Sequence, residues 1–162
     1  IRICGDVAYV PLTRGYEAII DAADVPLVEG FNWFALVQKH NIYAVRSLHG
    51  GKKMKTVYLH RFVTDCPDGY DVDHADSNGL NNRRSNLRLA TRSQNMYNRR
   101  LSLNNKSGFK GVTFHKASGK WTAQIGLNGK MNYLGIFVLP EEAHAAYCLA
   151  SERLHGEFGR TK

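Results

Sequence analysis

VDHADSNGLNNRRSNLRLATRSQNMYNRR, residues 72–100, is the stretch on which the reading of this chain turns. YDVDH reads as a strand, ADSNGLNNRRSN as a long polar loop with Asn-Gly turn chemistry, and LRLA as a second strand. Thr91-Arg-Ser-Gln94 fits the capping box S/T-x-x-E/Q, so a helix starts at Arg92 and runs through RSQNMYNRR. Asp73 and His74 are followed by Asn86, twelve residues after the histidine, and Asn95, nine beyond that. A strand-loop-strand-helix order folds such residues back on one another. Asp73 and Asn95 offer hard oxygen ligands, which suit magnesium or manganese better than zinc. His74 carries the side chain whose pKa lies nearest neutrality, so it is able to take a proton from water. A calcium loop is excluded: counting back from Gly79 puts His74 at the first ligand position and Ser85 where the bidentate glutamate belongs.

Upstream, DVAYVPLT, YEAIID, NWFALVQ and NIYAVRS read as short strands, and Pro26 limits any helix near DAADVPLVEG to a turn or two. VYLHRFVT reads as a short helix. Downstream, LSLNNKSG reads as a flexible basic linker. FKGVTFHK, KWTAQIGL and KMNYLGIF are three strands, the last two joined by Asn128-Gly129. LPEEAHAAYCLASERLHG is a helix, with Pro140 in its first turn, Glu141 and Glu142 at its positive end and Gly156 to stop it. Ala143, Ala146, Tyr147, Ala150 and Leu154 share one face, to meet Trp121, Ala123, Ile125 and Leu127 of the middle strand. Thr122, Gln124, Gly126, Thr113 and His115 then point away from it, onto a polar face.

The chain has 162 residues, 22 Lys+Arg and 14 Asp+Glu, for a formal net charge of +8. Residues 77–140 hold no acid across 64 positions, where about five or six are expected, and carry eleven cations. Those are Arg83, Arg84, Arg88, Arg92, Arg99, Arg100, Lys106, Lys110, Lys116, Lys120 and Lys130; the remainder of the chain sums to −3. Such a block suits the neutralisation of phosphates, although a solvated face or an anionic-membrane surface has the same composition. No apolar run approaches the roughly 18 residues that cross a bilayer. Cys4, Cys66 and Cys148 are far apart with no CxxC pair, which argues against a cysteine zinc site and for reduced thiols in a cytoplasm.

The 72–100 stretch resembles the HNH nuclease motif of phage- and intron-borne homing endonucleases: DH, NN-R-x-S-N-L and the Q-N of the helix all stand in register. The resemblance implies a ββα-metal fold that holds one divalent ion, Mg2+ or Mn2+, and hydrolyses a DNA phosphodiester. It makes Asp73 and Asn95 metal ligands, His74 the general base, Asn86 the residue that holds the loop and orients the histidine, and Arg92 a phosphate clamp. Many family members have His where this chain has Asn95. His60, in the preceding LHR, resembles a frequent family histidine whose role is open.

Residues 108–160 are similar to the APETALA-two/ethylene-response-factor DNA-binding domain, through K-G-V, K-W-x-A-x-I, Y-L-G-x-F, E-E-A-x-x-A-Y and the closing G-E-F. In that family the sheet enters the major groove. The resemblance puts Lys110, Thr113, His115, Gln124, Gly126, Met131 and Tyr133 on DNA, with Lys116, Lys120 and Lys130 near phosphate. Arginines of the plant proteins are replaced by Thr113, His115 and Gly126, so bidentate reading of guanine is reduced and phosphate contacts and shape matter more.

The expected protein is α+β. It has a small N-terminal β-rich scaffold (1–55), the HNH motif (56–100), a linker (101–107), and a three-stranded antiparallel sheet packed on one helix (108–162). Its function is that of a metal-dependent endonuclease on double-stranded DNA, with Arg83, Arg84, Arg88, Arg99 and Arg100 added to the DNA contacts. It works without a membrane, in the cytoplasm of a bacterial host. One motif implies one strand cut per binding event by a monomer; a double-strand cut needs a dimer or two events. The rival reading is a regulator that binds DNA through a silent motif.

Overall fold

The computed structural model describes residues 1–50, 53–102 and 104–161. By contact the chain divides into two units, Ile1–Thr91 and Arg92–Lys162. Both mix small antiparallel sheets with short helices.

In the first unit β1 (Arg2–Cys4), β2 (Val7–Pro11) and β3 (Glu17–Asp21) form one sheet in chain order. Alternation along β2 and β3 turns Ala8, Val10, Ala18 and Ile20 inward. The one-turn helix α1 (Val25–Val28) carries Pro26 in its first turn, where the missing N–H costs nothing. A second sheet follows from β4 (Phe34–Val37), β5 (Ile42–Gly50) and β6 (Lys53–Tyr58), and then α2 (Leu59–Val63). Val28, Trp33, Ala35, Ala44, Leu59 and Val63 join the first sheet in one core. The Trp33 indole completes it by donating to the Val28 carbonyl at 3.1 Å.

Two details of this unit depart from the sequence reading. β6 was not legible, because KKMKTV alternates without an apolar face; it forms by pairing with β5. It also takes Val57 and Tyr58, so the expected VYLHRFVT helix begins only at Leu59.

β7 (Asp71–His74) and β8 (Leu87–Ala90) pair antiparallel, with Asp73 opposite Arg88 and His74 opposite Leu87. A two-stranded ribbon is marginal alone. This one is fastened to β3: Ile19 N–H donates to Leu80 O at 2.8 Å, and Asn82 N–H to Ile19 O at 2.7 Å.

The second unit starts with α3 (Arg92–Tyr97). The helix ends at Tyr97, not Arg100, because the Lys110 ammonium takes the carbonyls of Tyr97 (2.7 Å) and Arg99 (2.8 Å), as a cation at a helix C-terminus does. Stacking of the Tyr97 ring on His155, 3.7 Å between centroids, seats this short helix. Within the expected linker, Asn105 donates to Phe109 O and Ser107 to Val112 O; Leu103 lies outside the described residues. β9 (Val112–His115), β10 (Lys120–Leu127) and β11 (Lys130–Phe137) form a sheet with β10 central, and α4 (Pro140–His155) packs on it. Val112, Ala123, Ile125, Ala143, Tyr147 and Ala150 are its core. Gly111, at φ +74, is where a side chain would collide with the Tyr147 ring. Among the described residues no helix is long and apolar enough to cross a membrane.

Candidate active site

Asp73 and His74 end β7 as buried residues at 4% and 6% exposure. Strand register puts Arg88 directly across from Asp73, and its guanidinium pairs with the carboxylate. His74 Nε2 lies 3.4 Å from Asn82 Oδ1. The Asn82 amide is oriented by donating Nδ2–H to Leu80 O at 3.0 Å, which leaves Oδ1 as acceptor. With Oδ1 as acceptor, this contact favours the tautomer that carries the proton on Nε2. Burial pushes the His74 pKa below its ordinary 6.5, opposed by the Asn82 hydrogen bond and the charges of Asp76 and Asp73.

The loop 75–86 is held by its own side chains. Asn86 Nδ2 donates to Asp76 Oδ1 at 3.0 Å and to Asn81 O at 2.8 Å, and its Oδ1 accepts from Asp76 N–H at 3.1 Å. Partial burial works to raise the Asp76 carboxyl. Hydrogen bonds from Asn78 N–H, Asn81 and Asn86 outweigh it, so the group titrates below the usual carboxylate range. The loop leans on β5 through Asn41, which accepts from Gly79 N–H at 3.0 Å and donates to Ser77 O at 3.2 Å. Gly79 is needed there: a Cβ would lie 2.5 Å from Ile42 O and 2.6 Å from the Tyr43 ring.

His60 sits beside the histidine, ring centroids 4.9 Å apart and edge to face, with the Tyr43 ring against both. Its Nδ1 is buried without a hydrogen-bond partner. Burial, then the neighbouring His74 and Arg61, hold its pKa down to about 3, so it is neutral in the folded protein.

Several expected DNA contacts are engaged by partners within the chain. Arg83 pairs with Asp6 at 2.6 Å and Asp21 at 2.8 Å, Arg84 with Asp24 at 2.8 Å, and Arg88 with Asp73. Lys110 is turned to carbonyls, and burial, then Arg160 and Arg99, lower its pKa to about 8. The acid-free block 77–140 misled here because its carboxylate partners lie upstream, at residues 6–73. Arg92, Arg99, Arg100, Thr113, His115, Lys116, Lys120, Lys130 and Tyr133 are exposed, and Gln124 is half-buried.

The structure gathers Asp73, His74, Asn86 and His60 in the first unit, while Asn95 and Arg92 stand on α3 in the second. Asn82, Asp76, Asn41 and Tyr43 complete the surroundings and were missed. Asn82 carried one signal, its place in the Asn81-Asn82 pair of the loop; Asn41 and Tyr43 carried none, being more than 30 residues away. Among the described residues no group of three or more His, Cys, Asp or Glu converges as a metal site. A carboxylate and an amide oxygen are the donors a hard cation takes; in this structure the Asp73 carboxylate is paired with Arg88.

Residues 57–97 match the HNH endonuclease family. The chain is 31% identical over 151 residues to an uncharacterized HNH endonuclease of Acanthamoeba polyphaga mimivirus, covering 90% of this chain and 74% of that protein. It is 36% identical over 94 residues to protein 3.8 of Escherichia phage T7, covering 58% of this chain and 77% of that one. No solved structure matches the chain.

Proposed function

Because the chain belongs to the HNH endonuclease family and is thereby a nuclease, we propose that it is a metal-dependent endonuclease of the homing type. It hydrolyses a phosphodiester of duplex DNA with His74 as general base. The observation that carries the reading is His74 itself: buried at the end of β7, next to Asp73, with Nε2 on Asn82 and the loop beyond it clamped by Asn86. A neutral imidazole is the form that takes a proton from a water. The water gives up a proton to it, the resulting hydroxide attacks phosphorus, and the bond to the 3′ oxygen breaks. Asp73 and Asn95 would hold one Mg2+ or Mn2+, which when bound offsets the charge that builds on the leaving oxygen. Asn86 and Asp76 keep the loop closed, and Arg92 clamps a phosphate.

The second unit is the DNA anchor, through a sheet similar to the APETALA-two/ethylene-response-factor domain, with exposed Lys116, Lys120 and Lys130 against phosphates. Thr113, His115, Gln124 and Tyr133 face the groove, and Arg99 and Arg100 add charge. Arg83, Arg84, Arg88 and Lys110, engaged internally, serve the fold instead. Tethering raises the local concentration of the cutting motif at a bound site, so each part can bind weakly alone. The chain works as a monomer that nicks one strand per event, in the cytoplasm of a phage- or intron-bearing host; relatives from a virus and a phage support this setting.

Supercoiled-plasmid cleavage with magnesium or manganese tests the reading, with His74→Ala and a chelator as controls. Relaxed circles are expected from the metal-loaded wild type alone, and His74→Ala should slow cleavage by about 10²–10⁴-fold. Linear product would point to paired events. Intact plasmid, and intact pooled phage and host DNA, alongside a gel shift would sink the catalytic claim and leave a regulator that acts by occupancy.

A further inference from the structure

One face of the β9–β10–β11 sheet is covered by α4; the other is open, and its two halves differ in chemistry. Residues directly opposite on neighbouring strands point to the same side. Thr122 pairs with Thr113 on one flank and Ile136 on the other, Gln124 with Tyr133, and Gly126 with Met131. β9 and β10 thus bring hydroxyls and an amide to the open face, whereas β11 brings three apolar side chains. Met131 is 67% exposed, Tyr133 62% and Ile136 42%. The Met131 sulfur lies against Gly126, 3.5 Å from where a Cβ would stand, an ordinary contact distance.

Apolar groups this exposed, on an edge strand, need an occupant. Charge says which kind. Lys120, opposite His115, lies on the open face with Lys116 in the adjoining turn, Lys130 starts β11 opposite Leu127, and residues 108–137 hold no acid; the carboxylates of this unit, Glu141, Glu142, Glu152 and Glu157, follow the sheet on α4 and the turn after it. An acid-free face with lysine at one end and an apolar stripe along one edge fits a polyanion that itself displays apolar groups. Duplex DNA does so in one place, the C5-methyl of thymine in the major groove.

We propose that Met131, Tyr133 and Ile136 read thymine methyl groups and make the second unit selective for A·T-rich duplexes. The proposal rests on the reading of this sheet as the DNA anchor and gives it a sequence preference. Guanine is read by arginine forks, and the open face has none; a thioether, a phenol ring and a branched alkyl group instead gain by burying methyls. Gln124, beside Tyr133 on β10, supplies the amide that pairs with adenine N6 and N7.

The test uses the full chain with a chelator present, so that binding is read without cleavage. Duplexes enriched by the wild type from a random pool are resynthesised with deoxyuridine in place of thymidine, which removes the 5-methyl alone. Enriched duplexes should be A·T-rich, and binding should weaken about fourfold for each methyl lost from the interface. Met131→Ala and Tyr133→Ala should bring thymidine duplexes down to the deoxyuridine level while leaving deoxyuridine binding unchanged; these side chains are exposed, so the fold is preserved. Lys120→Ala should weaken both kinds equally. Equal binding of the two kinds by the wild type, or variants that lose equally on both, would overturn the methyl readout and leave the anchor reading standing. Failure to bind any duplex would overturn both, and a dimer seen by sedimentation in that case would assign the face to a second copy.

Discussion

The β7–β8 hairpin and the β9–β10–β11 sheet are both rich in polar and cationic side chains, and they spend them in opposite directions. In the hairpin Asn82 is fully buried, Asp73, His74 and Asn86 nearly so, and Arg83, Arg84 and Arg88 are bound to carboxylates. In the sheet Lys116, Lys120 and Lys130 reach into solvent, and Met131 and Tyr133 stand exposed beside them. The first region is a site prepared in advance, where hydrogen bonds made on folding hold a histidine and close a loop. The second is a surface whose partners have yet to arrive. Positive charge counted along the chain cannot separate these uses, because a paired arginine and a free lysine contribute the same unit.

The sharpest way to break the comparison is to remove one cation from each region. Arg84→Ala strands the Asp24 carboxylate, which is buried and held by bidentate bonds of 2.8–3.1 Å. Since Arg84 is itself half-exposed and water reaches the pair, the expected loss is about 2 kcal/mol, read by urea denaturation. DNA affinity of the folded variant should keep its salt dependence.

Next in size is the response to acid. Unfolded, His60 takes up a proton near 6.5; folded, it does so only near 3. Between those values the unfolded state binds more protons, so the contribution to stability is full above about 6.5 and drains away as pH falls. The slope is about 1.4 kcal/mol per pH unit for this histidine, and the lowered His74 pKa acts in the same direction. Denaturation midpoints at pH 7, 6 and 5 should fall in that order for the wild type, and fall less for His60→Phe. Parallel curves would mean that His60 is already hydrated in the folded state.

Smallest in stability is Lys120→Ala, expected to leave the denaturation midpoint where it was. Its effect appears elsewhere: the slope of log affinity against log salt should shrink by about one. An unchanged slope would put Lys120 off the phosphate path and blur the contrast between the regions.

Much of the architecture was readable from the residues. β8 spans the LRLA of the sequence reading, α3 begins at Arg92, and α4 buries Ala143, Tyr147 and Ala150 as the spacing requires. What failed had no local signature. β6 lacks an apolar face and exists because β5 offers it a ladder. Lys110 reads as one more basic residue of a strand, yet its ammonium closes a helix thirteen residues away.

The candidate site divides along the same line. Asp73, His74, Asn86 and Asn95 are legible because the motif sets them at fixed spacings around a hairpin and a helix, and turn chemistry, strand alternation and capping act over a few residues. Only the tertiary structure decided that Asn82 is a partner of His74, that Tyr43 and His60 wall the imidazole, and that three arginines pair with carboxylates. Those choices depend on which groups burial deprives of water. A buried donor, acceptor or charge must take whatever partner packing brings to it, here 60 residues along the chain for the buried Asp24 and Arg84.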